Sequence, residues 1–199
     1  KGYYNMDLTS PRTIRNIQEQ FGFTFKKGLG QNFLTARNIL EEIVDAAEIE
    51  SGVIEVGPGF GVLTSELAQN SDKVVTIEID ERLIDVLDYT LAEYDNVKIT
   101  NEDILKLDLK KVIDDEFNGE KVSIAANLPY YITTPIITKL LEEKLPIKNI
   151  VVMVQKEVAE RMSAKPSTKD YGAITVLCQY YTEPSIVANV PASLFVPPP

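Results

Sequence analysis

The stretch "GVIEVGPGFGVLTSELAQ" (residues 52–69) decides the fold of this chain. It begins with a short, mainly apolar run, which is typical of a strand buried in a sheet. Three glycines are spread through the turn that follows, and "FGVLTSELAQ" (residues 60–69) has the pattern of a helix. A strand that passes through a glycine-rich turn into a helix is the repeating unit of a parallel sheet covered by helices.

The same alternation continues along the chain. Further strands are predicted at "KVVTIEI" (73–79), "NVKIT" (96–100), "KVSIAAN" (121–127), "KNIVVMVQ" (148–155) and "PSIVANV" (184–190). Helices are predicted at "ARNILEEIVDAAEI" (36–49), "DERLIDVLDYTLAEY" (80–94), "TPIITKLLEEK" (134–144) and "DYGAITVLCQYY" (170–181). Asp80 is placed as a helix N-cap, and Thr134 as another with Pro135 at the first helical position. We therefore expect an α/β protein, a mostly parallel sheet with helices on both faces.

Composition excludes several classes of protein. The 199 residues are 44% hydrophobic and 25% charged, as in an ordinary soluble domain. The chain has no histidine, which excludes His-based catalytic triads and His-ligated metal sites, and we expect no metal. The single Cys178 excludes an internal disulfide and suits a reducing cytoplasm. No apolar run approaches the length of a membrane span, so we expect a cytoplasmic protein without membrane contact.

Charge is distributed unevenly. The net charge of -10 argues against a simple nucleic-acid binder. Residues 72–120 contain 15 acids and 6 bases, whereas residues 11–37 contain 5 bases and one acid. One basic face on an acidic body can still contact phosphates, although ordinary solvated surface charge would give the same counts.

Ligands of parallel sheets bind beyond the carboxyl ends of the strands, which makes the residues after each strand the candidates. Gly57, Gly59 and Gly61 follow the first strand. A dinucleotide-binding turn would need glycine in place of Val62. Bare backbone beside a helix N-terminus suits a carboxylate-bearing nucleoside. A tight turn between strand and helix would explain the same glycines.

Two acidic residues follow the next two strands. Glu78 lies about 20 residues beyond the glycine turn, where an acid commonly holds ribose hydroxyls. Asp103 is suited to accept from an adenine amino group, with Ile104 against the ring. Each acid has a simpler alternative: Glu78 could cap the next helix, and Asp103 could cap a short one.

The fourth strand ends in "NLPYY" (residues 127–131). Proline cannot donate to a sheet ladder, so the strand must stop there. The Asn127 side-chain carbonyl and backbone carbonyls near Pro129 are acceptors for an exocyclic amino group, and Tyr130 offers a surface for stacking a base. Acceptors that hold both amino hydrogens would free the nitrogen lone pair, a form of catalysis that needs no histidine. The alternative is a strand-ending turn with core tyrosines. Taken together, these strand ends indicate an S-adenosylmethionine-dependent amino-group methyltransferase.

The chain resembles the small-subunit rRNA adenine N6,N6-dimethyltransferases over residues 9–199. The motifs that carry the resemblance are "KKGLGQNFL", "EVGPGFGVLT", "VVTIEID", "NEDIL", "ANLPYYITTPI", "VQKEVAERM", "KDYGAITVLCQYY" and "VPASLFVPPP". The resemblance implies a Rossmann-like class I S-adenosylmethionine-dependent fold. It implies a monomer whose substrate is a pair of adjacent adenosines in the 3′-terminal hairpin of small-subunit (16S) rRNA, within an immature small ribosomal subunit.

The resemblance also assigns site residues. Those implied for the cofactor are Gln31, Asn32, Leu34, Gly57, Gly59, Glu78, Ile79, Asp103, Ile104 and Asn127. Those implied for catalysis are Asn127, Leu128, Pro129, Tyr130 and Phe195. In this assignment the Asn127 side chain and the Leu128 carbonyl hold the target N6, and its base stacks between Tyr130 and Phe195. Lysines before "GLGQNFL" and in the loop at residues 163–172 would contact phosphates.

Members of this family continue beyond "FVPPP" with a further strand and a small helical RNA-recognition domain. We therefore expect an N-terminal basic extension at residues 1–30 and a methyltransferase domain at residues 31–199, with the C-terminal helical domain absent. The loss would affect RNA affinity more than cofactor binding.

Three alternatives remain at this point. The 23S rRNA adenine methyltransferases of macrolide resistance share the fold, but they usually read Asn-Ile-Pro-Tyr where this chain has "NLPY". DNA adenine methyltransferases more often carry Asn or Asp, Pro, Pro, Tyr. A non-catalytic ribosome-assembly factor could keep the fold without the reaction, although the intact Asn127 and Tyr130 argue for retained catalysis.

Overall fold

The computed structural model describes residues 6–24 and 31–198. Its strands are β1 (Phe33–Leu34), β2 (Gly52–Val56), β3 (Lys73–Glu78), β4 (Val97–Asn101), β5 (Val122–Asn127), β6 (Ile147–Met153) and β7 (Phe195–Val196). Its helices are α1 (Pro11–Phe21), α2 (Arg37–Ala47), α3 (Val62–Gln69), α4 (Ile84–Thr90), α5 (Leu109–Phe117), α6 (Thr133–Glu142), α7 (Lys156–Met162) and α8 (Ala173–Tyr181).

Five of these strands form one parallel sheet in the order β4-β3-β2-β5-β6. All five residues of β2 are buried, which explains why its sequence is almost continuously apolar. The chain moves from β2 to β3 and β4 on one side, and β5 then returns to the other side of β2. The carboxyl ends of β2 and β5 therefore flank the point where strand order reverses, the usual position of a ligand crevice.

Helices cover both faces of the sheet, as predicted. Alternate strand residues point to opposite faces, so Val53 and Ile54 belong to different core clusters. The Val53 cluster includes buried residues of α1, α2, α3 and α4, and the Ile54 cluster includes those of α5, α6 and α8.

Helix α1 belongs to the folded body. Pro11 lies in its first turn, the Ser10 hydroxyl accepts from the Thr13 amide, and Gly22 ends it in the left-handed conformation. Ile14 and Ile17 are buried in the core. The predicted division of the chain at residues 30 and 31 stays a prediction.

Two local predictions are wrong. Residues 184–190 form no strand, because a strand needs a neighbour and none pairs with this segment within the described residues. Helix α6 begins at Thr133 without a side-chain cap, since a 3-10 turn at Tyr130–Ile132 leads directly into it, so Thr134 does not cap it. The helix predicted at 80–94 is present but shorter, as a 3-10 turn at Glu81–Leu83 followed by α4.

Among the other local features, one agrees with the sequence analysis and several were not predicted. Asp80 caps its turn as predicted, with its carboxylate accepting from the Arg82 amide. Helices α1, α5 and α7 were not predicted. The antiparallel pair of β1 with β7 was not predicted either; it places Leu34 opposite Phe195. Among the described residues, no helix is long and apolar enough to cross a membrane.

Gly59 and Gly22 offer a matched pair for testing the glycine turn. Both have positive φ, +59° and +60°. A Cβ on Gly59 would lie 2.3 Å from the Phe33 ring, whereas nothing lies within 4 Å of a Cβ on Gly22. We expect Gly22→Ala to lower the free energy of unfolding by about 1 kcal/mol, the backbone cost alone. Gly59→Ala should lower the free energy of unfolding by about 1–3 kcal/mol more than Gly22→Ala does, because the Phe33 ring must move to make room for the new methyl group. Urea unfolding of both variants measures the difference, and equal losses would contradict the proposed contact.

Candidate active site

An open cleft lies at the carboxyl ends of β2, β3 and β5. Most of the predicted site residues line it: Gln31, Asn32, Leu34, Gly57, Gly59, Glu78, Ile79, Asp103, Ile104, Asn127 and Pro129. Three predicted residues, Leu128, Tyr130 and Phe195, are not among its lining residues. Residues far apart in sequence thus meet at one edge of the sheet, as the parallel topology requires.

The glycine turn forms one wall of the cleft. The Gly57 amide donates to the Ile77 carbonyl at 2.9 Å, which holds the turn against the end of β3. The Phe33 ring lies where a side chain on Gly59 would be and stacks on Phe60 with centroids 4.4 Å apart. This close approach brings residues 31–34 over the turn.

Glu78 ends β3 with its side chain buried. The Asp80 amide donates to Oε1 of Glu78 at 2.8 Å. Burial raises the pKa of Glu78 to about 7, and the negative charge of Asp80 acts in the same direction, against backbone hydrogen bonds that include one from Gly59. The carboxyl is therefore fixed by backbone from two loops and faces a cleft where a ligand can supply further donors.

Glu55 is a cleft residue that the sequence reasoning missed. It lies within β2, is 1% exposed, and accepts a hydrogen bond from the Thr64 hydroxyl at 2.5 Å. Burial raises its pKa to about 8. The sequence did contain a signal, a single acid inside an otherwise apolar strand. An acid is almost never fully buried without a partner, so an acid in a buried strand indicates a specific role.

Asp103 both lines the cleft and caps a turn. Its Oδ1 accepts from the Leu105 amide at 3.0 Å, and Lys106 lies 3.7 Å from Oδ2. Asp103 therefore caps this turn, although the short helix of the alternative does not form. The role of Asp103 toward an adenine amino group stays a prediction, which this geometry permits since the side chain also borders the cleft.

Asn127 ends β5, and its side-chain amide is anchored. Nδ2 donates to the Asn32 main-chain carbonyl at 3.1 Å. With the NH₂ group directed at that carbonyl, Oδ1 is the end of the amide left to accept from a ligand. The carbonyl of Pro129 accepts from the Thr133 hydroxyl at 3.0 Å.

The aromatic residues near the proposed adenine site differ in solvent exposure and in whether they line the cleft. Tyr131, which the sequence reasoning did not single out, lines the cleft and is 57% exposed. Burial, and then the charges of Asp103 and Glu78, raise its pKa. Tyr130 is partly exposed on the neighbouring turn, whereas Phe195 is only 5% exposed in β7. Stacking of a base on Tyr130 and Phe195 stays a prediction.

Two basic residues lie in the loop between α7 and α8. Lys165 and Lys169 are exposed in the loop after α7, which follows the carboxyl end of β6. Lys26 and Lys27 lie outside the described residues. Contact of these lysines with phosphates stays a prediction.

A family model described as ribosomal RNA adenine dimethylase matches residues 22–199. This chain belongs to that family. It is 55% identical over 196 residues to ribosomal RNA small subunit methyltransferase A of Bacillus mycoides and to that of Bacillus cereus, covering 97% of this chain and 67% of each relative. Among solved structures, a dimethyladenosine transferase from Plasmodium falciparum matches with a TM-score of 0.73 and 34% identity, over 84% of this chain and 59% of that one.

The solved structure of the 23S rRNA methyltransferase ErmE also matches, with a TM-score of 0.59 and 31% identity over 66% of this chain and 51% of that one. These matches confirm the predicted family, the class I methyltransferase fold and the class of enzyme, an rRNA adenine dimethyltransferase. Family membership supports the predicted use of S-adenosylmethionine. The chain spans 67% of the length of the Bacillus relatives and 59% of the length of the Plasmodium protein.

The buried acids predict a pH dependence of stability. The usual pKa of a glutamate is 4.5, and burial raises that of Glu55 to about 8 and that of Glu78 to about 7. At pH values between the ordinary and the raised pKa, the folded chain keeps protons that the unfolded chain has lost. The free energy of unfolding should therefore fall as the pH rises from 5 to 8. Each of the two carboxyls should lower it by up to about 1.4 kcal/mol per pH unit. Glu55→Gln should flatten this slope in urea unfolding series.

Glu116→Gln is the control for that measurement. Lys73 and Lys98 lower the pKa of Glu116, so it titrates below this window and its loss should leave the slope unchanged. A slope that persists in full in Glu55→Gln would show that Glu55 is already ionised at pH 5.

Substitution of Asp103 and of Asp108 distinguishes a role in ligand binding from a role in capping. Asp108 caps α5 by accepting from the Lys111 amide, and it does not line the cleft. We expect Asp103→Ala to weaken S-adenosylmethionine binding by about 1–3 kcal/mol, the cost of removing one partner of a buried hydrogen bond. Asp108→Ala should lower stability and leave this affinity unchanged. Calorimetric titration measures the affinity of each variant for S-adenosylmethionine. Unchanged affinity in Asp103→Ala would show that Asp103 only caps its turn.

Proposed function

We propose that this chain is the methyltransferase domain of a small-subunit rRNA adenine N6,N6-dimethyltransferase. Its substrate would be two adjacent adenosines in the 3′-terminal hairpin of 16S rRNA, modified during small-subunit biogenesis. The observation that carries the proposal is the anchored amide of Asn127, which faces a cleft bordered by Glu78 and Asp103. The identity of 55% to the small-subunit methyltransferases of Bacillus supports the choice of RNA.

The cleft fits S-adenosylmethionine on two observations. The glycine turn keeps bare backbone at one wall, where a side chain would collide with Phe33. The buried carboxyl of Glu78 faces the cleft with capacity to accept ribose hydroxyls, and Asp103 borders the same space. When bound, this cofactor supplies a methyl group already activated on a sulfonium sulfur.

The protein's part in the reaction is to hold the adenine amino group. Its nitrogen lone pair is delocalised into the ring, and hydrogen bonds that draw the amino hydrogens out of the ring plane make that pair available. Oδ1 of Asn127 accepts one such hydrogen while Nδ2 stays on the Asn32 carbonyl. The acceptor is thus oriented before substrate arrives, which is the basis of catalysis by positioning.

Tyr130 and Tyr131 lie on the turn that follows Pro129. Both rings are partly exposed and can take a flat base, a contact that a nucleotide outside a helical stack requires. The exposed Lys165 and Lys169 would contact phosphates of the same RNA. We further propose that the protein acts as a monomer in the cytoplasm.

A second candidate function is methylation of 23S rRNA, as in the protein whose structure matches with a TM-score of 0.59. Its identity to this chain is 31%, against 55% for the small-subunit enzymes. The "NLPY" motif also favours the small-subunit substrate. A non-catalytic assembly role would leave the orientation of Asn127 unexplained.

Methyl transfer is the direct test. The full-length protein is incubated with methyl-labelled S-adenosylmethionine and either unmodified small subunits or 23S rRNA, and the RNA is digested to nucleosides. We expect label in N6,N6-dimethyladenosine from small subunits alone. Asn127→Ala should slow transfer by roughly 100-fold or more, as expected for loss of a catalytic hydrogen-bond partner.

Asn38→Ala is the matched control, since Asn38 is exposed on the outer side of α2. It should transfer at the wild-type rate. Label from 23S rRNA would move the assignment to the second candidate, and wild-type activity in Asn127→Ala would remove Asn127 from catalysis.

A further inference from the structure

Asp80 connects three parts of the cleft. Its amide donates to Oε1 of Glu78 at 2.8 Å, and its carboxylate caps the turn through the Arg82 amide. The same carboxylate accepts from Nε2 of Gln31 at 2.9 Å, a contact between residues 49 positions apart. The side chain is 6% exposed, so these contacts are made largely out of water.

Arg82 holds the other side of this carboxylate. Its Nε donates to Oδ1 of Asp80 at 2.9 Å and its Nη2 to Oδ2 at 2.5 Å, a two-point pairing that fixes both groups. The guanidinium also lies 4.8 Å from the centre of the Phe23 ring and reaches the Thr24 carbonyl. Arg82 thus joins Asp80 to the chain just before residue 25, while Gln31 joins it to the chain just after residue 30.

The segment that Asp80 holds is the one that anchors the catalytic amide. Gln31 is followed directly by Asn32, whose carbonyl accepts from Nδ2 of Asn127 at 3.1 Å. A displacement of Gln31 by a fraction of an ångström would shift the Asn32 carbonyl and rotate the amide that depends on it. Farther along, Leu34 is paired with Phe195, so the segment is fixed from its other end as well.

We propose that Asp80 and Arg82 are positioning residues that orient the Asn127 amide through the Gln31–Asn32 backbone. This inference rests on the proposed function, because it assigns the amide its role in methyl transfer. Neither residue touches the reacting atoms. Their contribution is to keep Oδ1 of Asn127 directed into the cleft when substrate is absent.

A purely local role makes a different prediction. If Asp80 served only as the cap of its turn, asparagine would replace it with little loss, since asparagine is an equally good N-cap. If Asp80 acted only through Glu78, cofactor affinity would change with the rate. Because Gln31 is itself assigned to the cofactor site, the link through Gln31 instead predicts a loss of turnover at saturating cofactor that exceeds any loss of cofactor affinity. The Asp80 amide that holds Glu78 remains in every variant.

The test compares Asp80→Asn and Arg82→Ala in the full-length protein with Asp114→Asn as control. Asp114 is an exposed aspartate paired to Lys110 on α5, so the control makes the same chemical change outside the cleft. We expect kcat for methyl transfer to small subunits to fall about tenfold or more in the first two variants, because small errors of alignment are costly in catalysis. The calorimetric Kd for S-adenosylmethionine should stay within about threefold of wild type, and the control should match wild type in both.

Hydrogen exchange without cofactor or RNA gives a second readout. Amides of residues 31–36 should exchange severalfold faster in Asp80→Asn and Arg82→Ala than in wild type, and not in Asp114→Asn. Normal kcat in both variants, or a weaker Kd that accounts for the lost rate, would overturn the proposal. If Asp80→Asn does not fold, Arg82→Ala alone still tests the proposal. A wild-type protein that transfers no methyl would refute the proposed function instead, while the exchange data would still report on the contacts of Asp80 with Gln31 and Arg82.

Discussion

The approach of the Phe33 ring to the bare backbone of Gly59 is the contact on which the cleft depends. It lets residues 31–34 lie directly over the glycine turn, with Phe33 stacked on Phe60 beneath. Only then is the Asn32 carbonyl near enough to take the Asn127 amide at 3.1 Å. A side chain at Gly59 would lift the segment and remove the anchor of that amide. The glycine is therefore required by packing between protein segments as well as by any ligand.

Chemistry without histidine places particular demands on this cleft. Its polar side chains are amides, carboxyls and the Tyr131 phenol, and burial raises the pKa of two of the carboxyls to about 7 and 8. The anchored Asn127 amide exchanges no proton near neutral pH and can accept a hydrogen bond from a substrate. A reaction whose donor is already activated needs alignment above all, and a fixed amide at a strand end supplies it.

The sequence predicted those parts of the site that follow from strand order. Glu78, Asp103 and Asn127 each stand at a strand end, and parallel strands bring their carboxyl ends to one edge regardless of how the helices pack. Glu55 was missed because it lies inside a strand, where its burial depends on neighbours that the pattern does not reveal. Residues 184–190 have the composition of a strand and form none, since pairing is decided by a neighbouring strand and not by propensity.

The antiparallel pair of β1 with β7 shows why the remaining geometry was beyond local reasoning. Each strand has two residues, too few for any periodicity, and the Thr35 hydroxyl meets the Leu194 carbonyl across 159 positions of the chain. Yet this pair joins the segment that anchors Asn127 to the segment that carries Phe195. A change in either strand would reach both sides of the proposed adenine site through hydrogen-bonded backbone. The proposed cofactor side and the proposed substrate side of the cleft are in this way joined by backbone hydrogen bonds, and a loop before the first sheet strand contacts an amide at the end of the fourth.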